Sequence, residues 1–60
     1  MTEQEQYDAL IAQLYTGSYN GHPLNGWVID NDLTTITVTV GYADSTPNDT
    51  FTFDATQVHQ

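Results

Sequence analysis

The apolar positions of the chain change period part-way along it. At first they fall at Tyr7, Leu10, Ile11, Leu14 and Tyr15, a three-and-four spacing that gathers them on one stripe of an α-helix. Thr2 precedes the stripe and Glu5 follows three residues later. In this pattern a hydroxyl and a carboxylate each accept an amide hydrogen that the first helical turn leaves unpaired. Glu3 and Glu5 also favour the positive end of the helix dipole, and Gly17 is placed to stop the helix. The spacing predicts a helix over about 2–15. Residues 17–26 hold Gly17, Asn20-Gly21, Pro23 and Asn25-Gly26, so many turn formers that a surface loop, or a strand interrupted by turns, is expected. Trp27-Val28-Ile29 then begins a strand over about 27–30. After Asp30-Asn31-Asp32 the period is two: Ile36, Val38 and Val40 alternate with Thr35, Thr37 and Thr39, a strand over about 34–41 with one buried face. The polar stretch Ala43 to Asp49 separates this from Thr50-Phe51-Thr52-Phe53, a third strand over about 50–54. Asp54 to Gln57 is expected to make a single helical turn before Val58 returns to the core.

These elements imply one domain, residues 1–60, of the α+β class: an N-terminal helix packed on a small antiparallel sheet of three to four strands. Leu10, Ile11, Leu14, Ile36, Val38, Val40, Phe51 and Phe53 are its predicted core. From residue 14 to 60 the order of elements resembles an SH3-like small barrel carrying a helix at its N-terminus. Leu14-Tyr15-Thr16-Gly17-Ser18-Tyr19 is similar to the aromatic first strand of SH3 domains, while the paired tryptophans and the Pro-x-x-Tyr signature of that family are absent. The resemblance implies a module that binds a peptide or protein through exposed aromatics, here Tyr19, Trp27 and Tyr42.

Composition changes the picture most through one absence. The chain has 60 residues with eight acids, two histidines and neither lysine nor arginine, for a formal charge of −8. A chain of this length with ordinary usage would carry roughly seven basic residues. No carboxylate can therefore pair with a permanent side-chain cation, and the body repels itself. Direct binding of nucleic acid or of an anionic membrane is excluded on the same ground, because phosphate contacts need lysine or arginine. There is no cysteine, so disulfides and thiolate metal sites are excluded too. No apolar run approaches the roughly 18 residues of a membrane span. The N-terminal residues lack the charged and apolar regions of a secretory signal, and a cytoplasmic location is expected, in a bacterial host if the chain is phage-encoded.

The candidate chemistry is sparse. Ser18, Ser45, His22 and His59 are the only conventional nucleophiles and bases besides threonine and the carboxylates, and so small a chain rarely encloses a pocket for them. No enzymatic activity, catalytic residue, cofactor or metal is expected. Asp30-Asn31-Asp32 resembles the start of a calcium loop, but Thr34 and Thr35 stand where a further ligand and the turn glycine belong, and no glutamate closes it. A hairpin turn accounts for these residues. The Asn48-Asp49-Thr50 glycosylation pattern is read as a chance tripeptide.

The expected function is that of an acidic protein-binding domain without enzymatic activity. A domain displaying carboxylates with no cation among them can occupy a basic protein groove that otherwise holds phosphates. By composition the chain is similar to the small phage-encoded proteins that block restriction, repair or CRISPR effectors by imitating DNA. Asp30, Asp32, Asp44, Asp49 and Asp54 would carry such a contact, and the partner would be a basic surface, for example that of a nucleic-acid enzyme. Two alternatives stand beside this inhibitor of phage or mobile-element origin: the aromatic interaction module, and an engineered scaffold from which basic residues were omitted. The threonine-rich outer face and a strand edge with no lysine to guard it also leave open homodimerisation or the addition of a partner strand.

Overall fold

A computed structural model of the chain describes residues 2–59. Helix α1 spans Glu3–Tyr15. Its start is the reciprocal cap expected from sequence: the Glu5 amide donates to the Thr2 hydroxyl and the Thr2 amide to Glu5 Oε1, both at 3.1 Å. At the other end Thr16 and Gly17 donate back to Gln13 and Leu14, each at 3.1 Å, and Gly17, at φ +89°, turns the chain away.

Four antiparallel strands follow in sequential order, β1 (Ser18–Tyr19), β2 (His22–Asn31), β3 (Thr35–Tyr42) and β4 (Asp49–Asp54). Of the two expectations for residues 17–26, a surface loop or a strand interrupted by turns, the second describes the segment, which is strand for most of its length. Tyr19 pairs with His22 across Asn20 and Gly21, whose φ values of +52° and +85° make a two-residue turn of the type that matches the twist of a hairpin. Pro23 is tolerated because its missing amide would face Ala43, just past the last residue of β3; its carbonyl accepts from Ala43 at 2.9 Å. A bulge between Leu24 and Gly26 inserts Asn25 against the Tyr42–Gly41 step of β3. That extra residue changes the parity of the strand, so Leu24 and Trp27, three apart, both pack against the core.

The sheet curls into a half-barrel and α1 packs across its concave side. Leu14, Ile36, Val38 and Val40 are at most 1% exposed and form the centre of the core. Tyr7, Leu10, Tyr42, Phe53 and Val58 surround them, while Ile11 and Phe51, expected inside, are half-buried at the margin. Val58 does return to the core, after a hydrogen-bonded turn in which Gln57 N–H donates to the Asp54 carbonyl at 3.0 Å. Alternation holds throughout β3, with Thr35, Thr37 and Thr39 on the convex face opposite α1. The body measures 34 × 20 × 15 Å. No helix among the described residues is long and apolar enough to cross a membrane.

Candidate functional site

The register places the carboxylates at two ends of the sheet. Asp54 stands opposite Thr35 and Asp30 opposite Thr37, Asp32 lies in the β2–β3 turn, and Glu3 reaches the same end from α1, where its Oε2 accepts the Asp54 amide at 3.1 Å. At the other end Asp49 stands opposite Val40, and Asp44 lies in the β3–β4 loop beside His22. Asp54 and Asp49 are five residues apart on β4, a separation of about 17 Å. Between their rows the convex face carries threonine and Val28, together with Asp30.

Most of these side chains have local work. The Asp54 carboxylate accepts the Thr56 hydroxyl at 2.7 Å, the Thr56 amide at 2.9 Å and the Gln57 side-chain amide at 3.0 Å. The Thr56 hydroxyl contributes most to holding its pKa below the ordinary carboxylate value. Asp32 accepts the Leu33 amide at 2.6 Å and shapes the turn. Asp49 accepts the hydroxyl of buried Tyr42, and this bond is the main reason the Tyr42 hydroxyl is pushed up to about 12. Asp30 stands exposed on the convex face.

Asp44 joins three elements. It accepts the Thr46 hydroxyl at 2.6 Å and the Thr46 amide at 3.2 Å, and its other oxygen lies 2.8 Å from His22 Nδ1. The Thr46 hydroxyl, then His22, hold its carboxyl well below the usual range, at about 2. The sign follows from linkage: the unfolded chain binds this proton at a higher pH than the folded one, so Asp44 adds stability above about 3.8, its ordinary value, and the contribution fades as pH falls through about 2. In urea titrations, Asp44→Asn should lower the unfolding midpoint by a constant amount from neutral pH down to about 4, and the gap should close towards pH 2. A gap unchanged at pH 2 would show that the carboxylate charge is not what holds this loop.

The Thr46 hydroxyl lies 3.3 Å from His22 Nδ1, the nitrogen that also meets Asp44, whereas the nucleophile of a catalytic triad lies on the other nitrogen of the imidazole. Among the described residues no three His, Cys, Asp or Glu side chains are grouped to hold a metal ion.

The aromatic residues do not share one exposed surface. Tyr42 is buried and sits edge-on to His22 at 5.6 Å between ring centres. Tyr19 is half-buried against Phe51 at 5.5 Å, and Trp27 is half-buried against Tyr15 at 5.6 Å. Tyr15 itself, at 77% exposure, is the aromatic most open to solvent, and its place at the end of the helical stripe concealed that.

With no lysine or arginine to offset it, this charge must work against compaction. Raising salt from low to moderate concentration should therefore increase the melting temperature by about 5 °C, the shift that roughly 1 kcal/mol of relieved repulsion gives in a domain this small. A melting temperature that falls over the same range would contradict this reading.

A cleft of about 470 Å³ runs between α1 and β4, floored by Leu10, Phe51 and Phe53 and walled by Gln6, Ala9 and Gln13 of the helix. A more polar depression of about 670 Å³ lies at the Glu3–Asp54 end. No family model matches the chain, and no curated protein or solved structure matches it either.

Proposed function

We propose that the chain is a binding domain without enzymatic activity, whose partner presents a cationic protein surface, and that it competes there with nucleic acid. The observation that carries this reading is the pairing of eight carboxylates with no lysine or arginine. Local hydrogen bonds do not remove the charge: those to Asp44 and Asp54 favour the ionised form. The field therefore persists even where the side chain is occupied, and a field is what steers a basic partner.

The competition is electrostatic rather than a copy of phosphate spacing. A nucleic-acid strand carries a charge about every 3.4 Å, whereas β4 separates its two carboxylates by about 17 Å of uncharged strand. Contact through two acidic ends fits a partner whose basic residues lie in two groups. The aromatic module is less well supported, because Tyr42 is committed to Asp49 and Tyr19 packs against Phe51.

The test is capture from a bacterial lysate on the immobilised domain, with elution first by excess DNA and then by salt. The expected result is a set of nucleic-acid-binding proteins released by DNA. Proteins that DNA leaves in place and that are lost only on Trp27→Ala would replace this reading with the aromatic module.

A further inference from the structure

Strand β4 ends the sheet, and the hydrogen-bond pattern shows which of its amides face outward. Ala55 N–H donates to the Thr34 carbonyl at 3.1 Å, in register with Thr35 opposite Asp54. Backbone groups alternate sides along an antiparallel strand. Phe51 and Phe53 therefore bond to β3, while Thr50, Thr52 and Asp54 turn their amides towards the cleft beside α1. The Asp54 amide confirms the assignment, because the Glu3 carboxylate takes it at 3.1 Å. Glu3 thus stands where the acceptor of a neighbouring strand would stand. Thr50 and Thr52, the next two outward positions, have no such acceptor among the described residues.

We infer that this edge is a strand-addition site for an extended segment of a cationic partner protein, running in the cleft between β4 and α1. Main-chain bonds to Thr50 and Thr52 would supply affinity that does not depend on sequence. Side chains on one face of the added strand would drop onto Leu10, Phe51 and Phe53, which floor the cleft. Charge then selects the segment. Asp49 lies at one end of the six-residue strand, and Asp54 with Glu3 at the other, so the fitting sequence has a basic residue at each end and apolar residues between.

A second copy of this chain fits poorly. Antiparallel pairing of two β4 edges about a two-fold axis brings the Asp49 end of each copy near the Asp54 end of the other, and parallel pairing brings like ends together. Either way carboxylates approach carboxylates with no cation between them, and each copy brings a further −8.

This site rests on the cationic-partner reading, and the test separates the two. The ¹⁵N-labelled domain is titrated at low salt with a capped hexapeptide that has lysine at both ends and alternating threonine and valine between, and in parallel with polylysine. The expected result is that the hexapeptide shifts the resonances of Thr50 to Phe53 and of Ala9 to Gln13, and slows amide exchange at Thr50 and Thr52 at least tenfold. Glutamine in place of both lysines should weaken binding at least tenfold. Thr52→Pro, which deletes an outward amide at an edge position where proline is tolerated, should abolish the protection at Thr50. Should that variant fail to fold, the hexapeptide methylated on the backbone nitrogens that face β4 is expected to lose binding instead. Shifts confined to Asp30, Asp32 or Asp44, with Thr50 and Thr52 exchange unchanged, would overturn the edge site and leave the cationic-partner reading standing. No response to either the hexapeptide or polylysine would overturn both.

Discussion

Leu14→Ala should leave the domain largely unfolded at room temperature. Leu14 is 0% exposed and sits where α1 meets the centre of the sheet, among Ile36, Val38 and Val40. Truncating such a side chain costs about 2–5 kcal/mol, because the lost transfer free energy is joined by the cost of the cavity left behind. A single core in a chain this short rarely provides more than about 3–5 kcal/mol in total, and no disulfide can make up the difference. The comparison that isolates burial is Leu33→Ala. Leu33 is 92% exposed at the β2–β3 turn, and its loss should change stability by less than about 0.5 kcal/mol. Far-ultraviolet circular dichroism with urea titration measures both. Equal effects from the two would mean that α1 does not pack as described.

The second large effect belongs to the β1–β2 turn. Gly21 has φ +85° and follows Asn20, also in the left-handed region. Gly21→Val should cost about 1–3 kcal/mol, because a β-branched residue is strained at that φ. Space is not the reason: a Cβ at Gly21 would meet nothing within 4 Å. The cost is therefore one of backbone conformation alone, and the variant should show it both as a lower urea midpoint and as weakened amide protection at Tyr19 and Leu24. A variant as stable as the parent would mean that the Asn20-Gly21 turn is not formed in solution.

That turn also marks where the sequence was hardest to read. The helix was legible to within a residue because Thr2 and Glu5 announce its start and the apolar stripe sets its buried face. Strands β3 and β4 were legible because threonine alternates with Ile, Val and Phe. In residues 17–26 the glycines, asparagines and proline outweighed the alternation of Tyr19, His22 and Leu24, although Asn-Gly between two such runs is itself a strong hairpin signal. The bulge at Asn25 hid the strand further, since it breaks the period of two between Leu24 and Trp27. Periodicity also misplaced the margins of the core. Tyr42 continues the alternation of Ile36, Val38 and Val40 and is buried with its hydroxyl on Asp49, one residue beyond the expected end of the strand.

The acidic residues were legible as a total and not as an arrangement. Counting establishes that no lysine or arginine opposes them. It cannot reveal that Asp44 closes a loop onto His22, that Asp54 caps the C-terminal turn through Thr56, or that Glu3 occupies the edge of β4. The contacts of Asp44 and Glu3 depend on elements far apart in sequence that the fold brings together. The threonine hydroxyls at positions 46 and 56, two residues after their aspartates, were the available local signal, because Asp-x-Thr favours this kind of turn.

The most direct test of the proposed function is displacement. A basic protein captured by the domain is bound to a fluorescent DNA duplex, and the domain is titrated in at several salt concentrations while anisotropy reports the bound DNA. The proposal predicts stoichiometric release of the duplex, with the domain's own affinity for the protein falling steeply as salt rises. A stable ternary complex, or an affinity that salt does not change, would contradict it.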